Sequence, residues 1–182
     1  MFKLTIRTII YAALLAAVTA ILAQIAIPLP GGVPFTLQVL AVFLGILLFS
    51  KKSFWGMLTY LILGAIGLPV FANAHGGLGS IIGPTGGYLL GFLVSAYVGG
   101  LILELSNFKL WGQIAALVVA IVIIYTLGVA QLAIVLKLPL PKAIAAGALP
   151  FIPFDLLKGV LAILITTPLE KSFKNAGINL HD

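Results

Sequence analysis

An acid and a base stand three residues apart in an otherwise apolar stretch near the end of the chain, Pro153-Phe154-Asp155-Leu156-Leu157-Lys158. Spacing i, i+3 puts both side chains on one helix face. One reading is structural: two charges neutralise each other at a helix entrance, where the positive end of the helix dipole also favours Asp155. The other is a site for a small polar ligand. An ionised side chain at the centre of a membrane helix costs roughly 2.5–3.5 kcal/mol, and such residues are generally kept for function.

A second group is the run Gly76-Gly77-Leu78-Gly79-Ser80-Ile81-Ile82-Gly83-Pro84-Thr85-Gly86-Gly87-Tyr88. Glycines at this density let backbone approach a ligand or a neighbouring helix closely. They do not form a phosphate-binding Walker loop, because no Lys-Ser or Lys-Thr follows. Nor do they form a Gly-x-Ser-x-Gly nucleophile elbow, because Ile81-Ile82 follow Ser80. His75 and His181 lack carboxylate partners at ligand spacing, so no metal site is expected. A third feature is Ala12, Ala16 and Ala20, doubled by Ala13 and Ala17. Small residues four apart form a stripe along which two membrane helices pack closely, within the chain or with a partner. Gln38, Thr59 and Gln131 are the few polar positions inside apolar runs, and Gln38 is placed to face the same cavity as the charged pair.

These residues need a scaffold, and composition names its solvent. Of 182 residues, 62% are hydrophobic and 8% charged, against roughly 25% charged in soluble domains. The mean hydropathy is +1.27. So few charges suit a surface that faces lipid. The net charge of +6 comes from basic residues scattered singly or in pairs; no basic stripe marks a nucleic-acid site. The chain has no cysteine, which excludes disulfides and thiolate chemistry. Apolar runs and Gly/Pro breaks predict one all-α membrane domain over 1–182, with six transmembrane helices near 6–27, 36–50, 54–67, 85–105, 110–136 and 149–169. The first run, behind Lys3 and Arg7, exceeds a signal-peptide core in length and is kept as a helix.

Basic residues gather on cytoplasmic ends. With the amino terminus inside, Lys3, Arg7, Lys51, Lys52, Lys109, Lys171 and Lys174 lie inside and only Lys137 and Lys142 outside. Both termini are therefore expected in the cytoplasm. The irregular segments 28–34, 67–84 and 137–148 then share the outer side. Non-helical backbone near a membrane must pack on protein or line a wet cavity, so an outward-opening site is expected.

The segment Gly83-Pro84-Thr85-Gly86-Gly87-Tyr88-Leu89-Leu90-Gly91-Phe92 resembles the BioY family, the biotin-specific S-components of energy-coupling-factor (ECF) transporters. The resemblance continues through Pro34-Phe35-Thr36-Leu37-Gln38, Gly67-Leu68-Pro69-Val70-Phe71 and Phe151-Ile152-Pro153-Phe154-Asp155-Leu156-Leu157-Lys158. One departure is Phe154, where the family more often has glycine. The resemblance implies a six-helix subunit of a prokaryotic plasma membrane that binds biotin as transported substrate and holds no cofactor. Its implied partners are a transmembrane coupling protein and two ATPases. It implies biotin contacts at Asp155, Lys158, Asn73, Thr85, Gly86 and Tyr88, and docking of the coupling protein on Ala12, Ala16 and Ala20. Biotin offers two ureido N–H donors, a ureido carbonyl and a tail carboxylate. Asp155 suits an N–H, and Lys158 suits either the ureido carbonyl or the carboxylate. Phe35, Phe71 and Tyr88 could supply apolar walls. The rivals are an S-component for another vitamin and a stand-alone transporter in which Asp155 carries a coupling proton. An enzyme is disfavoured, because no nucleophile and base can be paired.

Single cysteines at Asn73 and Asn175 test the expected topology. In intact cells an impermeant thiol reagent should label position 73 and spare 175; the reverse pattern would overturn the orientation.

Overall fold

The computed structural model describes residues 5–29, 31–178 and 180. Lys3, counted above for orientation, and Pro30 and His181 lie outside the described residues. Five helical stretches are long and apolar enough to cross a membrane: Ile6–Ala23, Gln38–Ala65, Gly86–Leu105, Leu110–Val135 and Ile152–Asn175. Their outer faces carry exposed Ile9, Leu14, Val122, Leu156, Val160 and Leu164, as expected where lipid is the solvent. The chain is a mostly helical, multi-pass membrane protein.

The first helix, α1 (Ile6–Ala23), starts at Thr5, whose hydroxyl accepts the Thr8 N–H at 3.2 Å, a usual N-terminal cap. It stops earlier than the apolar run predicts. Ala26–Ile27 (β1) instead pairs antiparallel with Phe35–Thr36 (β2), Ala26 opposite Thr36 and Ile27 opposite Phe35. Hydropathy does not distinguish the two states, which is why the span 6–27 overran its helix.

The stretch Gln38–Ala65 is not one rod. Ser50, at φ 51°, breaks it, and a 3-10 turn over Ser50–Lys52 separates α2 (Gln38–Phe49) from α3 (Ser53–Ala65). The Gln38 amide donates to the Tyr60 hydroxyl at 2.7 Å. On a continuous helix those residues would be about 33 Å apart, so α2 and α3 fold back on each other. The turn is held by Ser53, whose hydroxyl donates to Ser50 O at 2.6 Å and Ala96 O at 3.1 Å, and by the Lys51–Glu104 salt bridge at 2.7 Å.

After a 3-10 turn at Ala72–Ala74 come α4 (Leu78–Ile82), α5 (Gly86–Leu105), α6 (Leu110–Val135), α7 (Leu140–Gly147) and α8 (Ile152–Asn175). The short helices α4 and α7 occupy stretches expected to be plain connections, and α8, which continues through Pro168, runs six residues past its expected end at 169. Helices α5 and α6 pack closely through glycine: a methyl on Gly91 would lie 2.8 Å from the Ile124 Cα. Helices α2, α5 and α8 begin, and α1, α3 and α6 finish, at the end of the bundle that carries the three irregular connections; Lys51 and Glu104 mark the opposite end.

The alanine stripe is corrected by its surroundings. Ala12 and Ala16 are 8% and 3% exposed, and Ala20 is half-buried. Between them Leu15 fills a notch formed by Gly45 of α2 and Gly56 of α3, where a methyl would come within 2.6 and 2.7 Å of its side chain. That stripe therefore belongs to the chain's own core, and an expected docking face on Ala12, Ala16 and Ala20 is displaced. Ala13 and Ala17, one residue on, face outward.

Replacing Ala16 with Trp should accordingly destabilise the isolated subunit, since overpacking a core costs about 1–3 kcal/mol or more. Ala17→Trp should leave stability near wild type. Thermal unfolding of the purified variants compares them; equal stability would return Ala16 to the surface.

Candidate functional site

Helix α8 starts where the Asp155 N–H meets Phe151 O at 2.9 Å, with Pro153 early in its first turn, a position where proline loses no helical bond. That start sets Asp155 in the first turn and Lys158 one turn deeper, 1% and 5% exposed. Their ion pair is 2.7 Å long, Lys158 Nζ to Asp155 Oδ1. Buried charges of this kind persist only with further hydrogen bonds, and two other elements, β2 and α6, supply them. Lys158 also donates to the Thr36 carbonyl on β2 at 2.7 Å and sits 4.2 Å from the centre of the Phe35 ring, within cation–π range. From α6, the Tyr125 hydroxyl donates to Asp155 Oδ2 at 2.6 Å.

The pair closes one side of a cavity of about 300 Å3, the lower end of the range for small-molecule sites. Of the residues expected at a site, Asp155, Lys158, Asn73, Thr85, Tyr88, Gln38 and Phe71 line it. Phe35 and Gly86 do not. Phe35 lies over Lys158 with Phe154 edge-on at 5.3 Å. Gly86 is buried, and a methyl there would strike Ile81 O and the Gln131 amide, so its lack of a side chain serves packing.

Several lining residues have hydrogen-bonding roles within the fold. Tyr88 donates its hydroxyl to Gly147 O at 2.8 Å, joining α5 to α7, and offers the cavity its ring. Gln38 accepts from the Thr36 hydroxyl at 3.0 Å and donates to Tyr60, which donates to Val70 O at 2.9 Å. Phe71 packs edge-on against Tyr60 at 5.4 Å and fills the space left by Gly64. Asn73 is the exposed edge of the cavity, and it and Ala74 are both at φ 56°; asparagine tolerates this left-handed conformation better than alanine does. Gln24, just past α1, braces that turn by donating to Phe71 O at 3.3 Å and accepting the Ala74 N–H at 3.0 Å. On the far side, Gln131 donates to both Ile81 O and Gly83 O at 2.7 Å.

Sequence reasoning missed Tyr125 and the Thr36 carbonyl. Tyr125 had a signal, a phenol in the middle of the apolar span 110–136, where a buried hydroxyl needs a partner. A backbone carbonyl has none. Among the described residues no cluster of His, Cys, Asp and Glu could hold a metal ion.

A family model described as the BioY family matches residues 1–175. Biotin transporter BioY of Thermotoga maritima is 46% identical over 168 residues, 91% of this chain and 96% of that protein. A probable biotin transporter BioY of Pyrococcus horikoshii is 38% identical over 159 residues, 87% of this chain and 93% of that one. Among solved structures, the S-component for biotin from an ECF-type ABC transporter superimposes with a TM-score of 0.81 at 30% identity, covering 93% of this chain and 95% of the other.

Proposed function

The chain belongs to the BioY family, and from that premise we propose that it is the biotin-capturing S-component of an ATP-driven ECF importer in a prokaryotic plasma membrane. The observation that carries the reading is the buried Asp155–Lys158 pair at the cavity wall. In a cyclic urea the ring holds each N–H on the same side as the carbonyl, so a donor and an acceptor lie side by side. That edge matches a carboxylate and an ammonium in contact: Asp155 takes the N–H and Lys158 gives to the carbonyl. Placing the tail carboxylate at Lys158 instead would bring two like charges together in a buried site, which is unfavourable. The ureido ring therefore lies at the buried pair and the tail points to the exposed edge at Asn73.

In this reading six helices cross the membrane, α2 and α3 as a short hairpin, with both termini in the cytoplasm and the cavity opening outward. The hairpin bond between Gln38 and Tyr60 supports six rather than five, and the basic residues support the orientation. The partners are a transmembrane coupling protein and two ATPase subunits. Outward-facing Ala13 and Ala17 of α1 offer the coupling protein a groove of the small-residue kind that draws membrane helices together.

Asp155→Asn and Lys158→Met should each weaken biotin binding at least about tenfold, since a directional bond lost in a buried site costs about 1–3 kcal/mol. Biotin amide, with a neutral tail, should lose far less on the wild type. Calorimetry decides both: native affinity in either variant would assign the pair to structure, and a large loss with the amide would put the carboxylate at Lys158.

Ala17→Trp should abolish biotin uptake in cells with a complete importer while leaving binding to the isolated subunit intact. Undiminished uptake would move the docking face elsewhere.

A further inference from the structure

Tyr125 approaches the charged pair from α6, independently of the helix that carries Asp155 and Lys158. Its hydroxyl meets Asp155 Oδ2 at 2.6 Å while Lys158 meets Oδ1 at 2.7 Å. The carboxylate is thus held at both oxygens by donors on two helices, which fixes its plane and leaves only lone pairs to offer. A phenol has one proton, and this one is committed to Asp155, so Tyr125 also turns an acceptor toward the cavity it lines. Its ring stands edge-on to Tyr88 at 6.2 Å, which limits swinging away. Lys158 is then the donor of this wall, and Asp155 and Tyr125 are fixed acceptors.

We propose that Tyr125 is a specificity-determining positioning residue: by pinning Asp155 as an oriented, acceptor-only group, it makes the site require a ligand N–H at that position. The proposal rests on the reading that the cavity takes a cyclic urea. A hydroxyl that only braced α6 against α8 would matter equally for every ligand. One that acts through Asp155 matters only for ligands that bring the N–H, because a site built to pair with a donor discriminates strongly against an analogue that lacks it.

The test is a cycle between protein and ligand. Wild type and Tyr125→Phe, which removes a single oxygen, are titrated with biotin, with desthiobiotin, which keeps the cyclic urea, and with the two analogues methylated at one or other ureido nitrogen. Thermal unfolding first confirms that the variant is folded. Tyr125→Phe should weaken biotin and desthiobiotin alike, by about tenfold, and weaken one of the methylated analogues less than about twofold. If neither methylated analogue binds the wild type, the same comparison is made with biotin in the Asp155→Asn background, where adding Tyr125→Phe should cost less than about twofold. An equal loss for all ligands, an equal loss in both backgrounds, or no loss for biotin would each overturn the proposal. Failure of the wild type to bind biotin would instead overturn the functional reading beneath it.

Discussion

A carboxylate and an ammonium with almost no surface left to water set the terms for this end of the molecule. Removing either partner from a buried pair strands a charge, and even the intact pair is tolerated only when its remaining protons and lone pairs are matched. Here the matches come from elements distant in sequence: β2 brings the Thr36 carbonyl and the Phe35 ring, and α6 brings the Tyr125 hydroxyl. The two-residue ribbon, too short to be stable alone, is therefore fastened to α8 by a lysine. The start of α8 is fastened to α6 by its own aspartate.

The same constraint extends outward through amide side chains. Backbone outside helices must find partners where water is scarce, and the long segment 67–84 beside the cavity is held at three places through glutamines. Gln38 relays from Thr36 to Tyr60 and so to Val70 O; Gln24 holds Phe71 O and the Ala74 N–H; Gln131 holds Ile81 O and Gly83 O. A run of contacts thus leads from Lys158 through Thr36, Gln38 and Tyr60 to Val70, two residues before the turn at Ala72–Ala74. The wall that carries the charges and the loop that borders the cavity are parts of one hydrogen-bonded frame.

Hydropathy made the spans legible, because an apolar surface long enough to cross lipid is a property of composition. It marked Asp155 and Lys158 as anomalous for the same reason, since a charge in such a run has to be explained. What it could not resolve was phase and direction. The run through Ile25-Ala26-Ile27 is as apolar as the helix before it, yet its hydrogen bonds go to Phe35 and Thr36. The alanines at 12 and 16 and those at 13 and 17 make equally good stripes on paper. Only the notch at Gly45 and Gly56, which receives Leu15, decides which faces the core. Gly86 carried a family signal for binding but lacks a side chain because Ile81 O and Gln131 leave no room.

On the proposed reading, a partner docked on α1 would sit apart from the ligand cavity. The buried face of α1 meets α2 and α3 through Leu15, and its outward alanines carry no atom of the cavity wall. A partner seated on that face would therefore leave the Asp155–Lys158–Tyr125 wall untouched. The connection that remains is Gln24, at the end of the helix, whose amide grips both sides of the turn at Asn73 and Ala74. Two adjacent residues in the left-handed region make that turn strained, and it is held by a side chain anchored on α1. Moving α1 along its axis would have to lift Leu15 from its notch at Gly45 and Gly56 and stretch these Gln24 bonds together, so the turn at Asn73 and Ala74 is coupled to the position of α1.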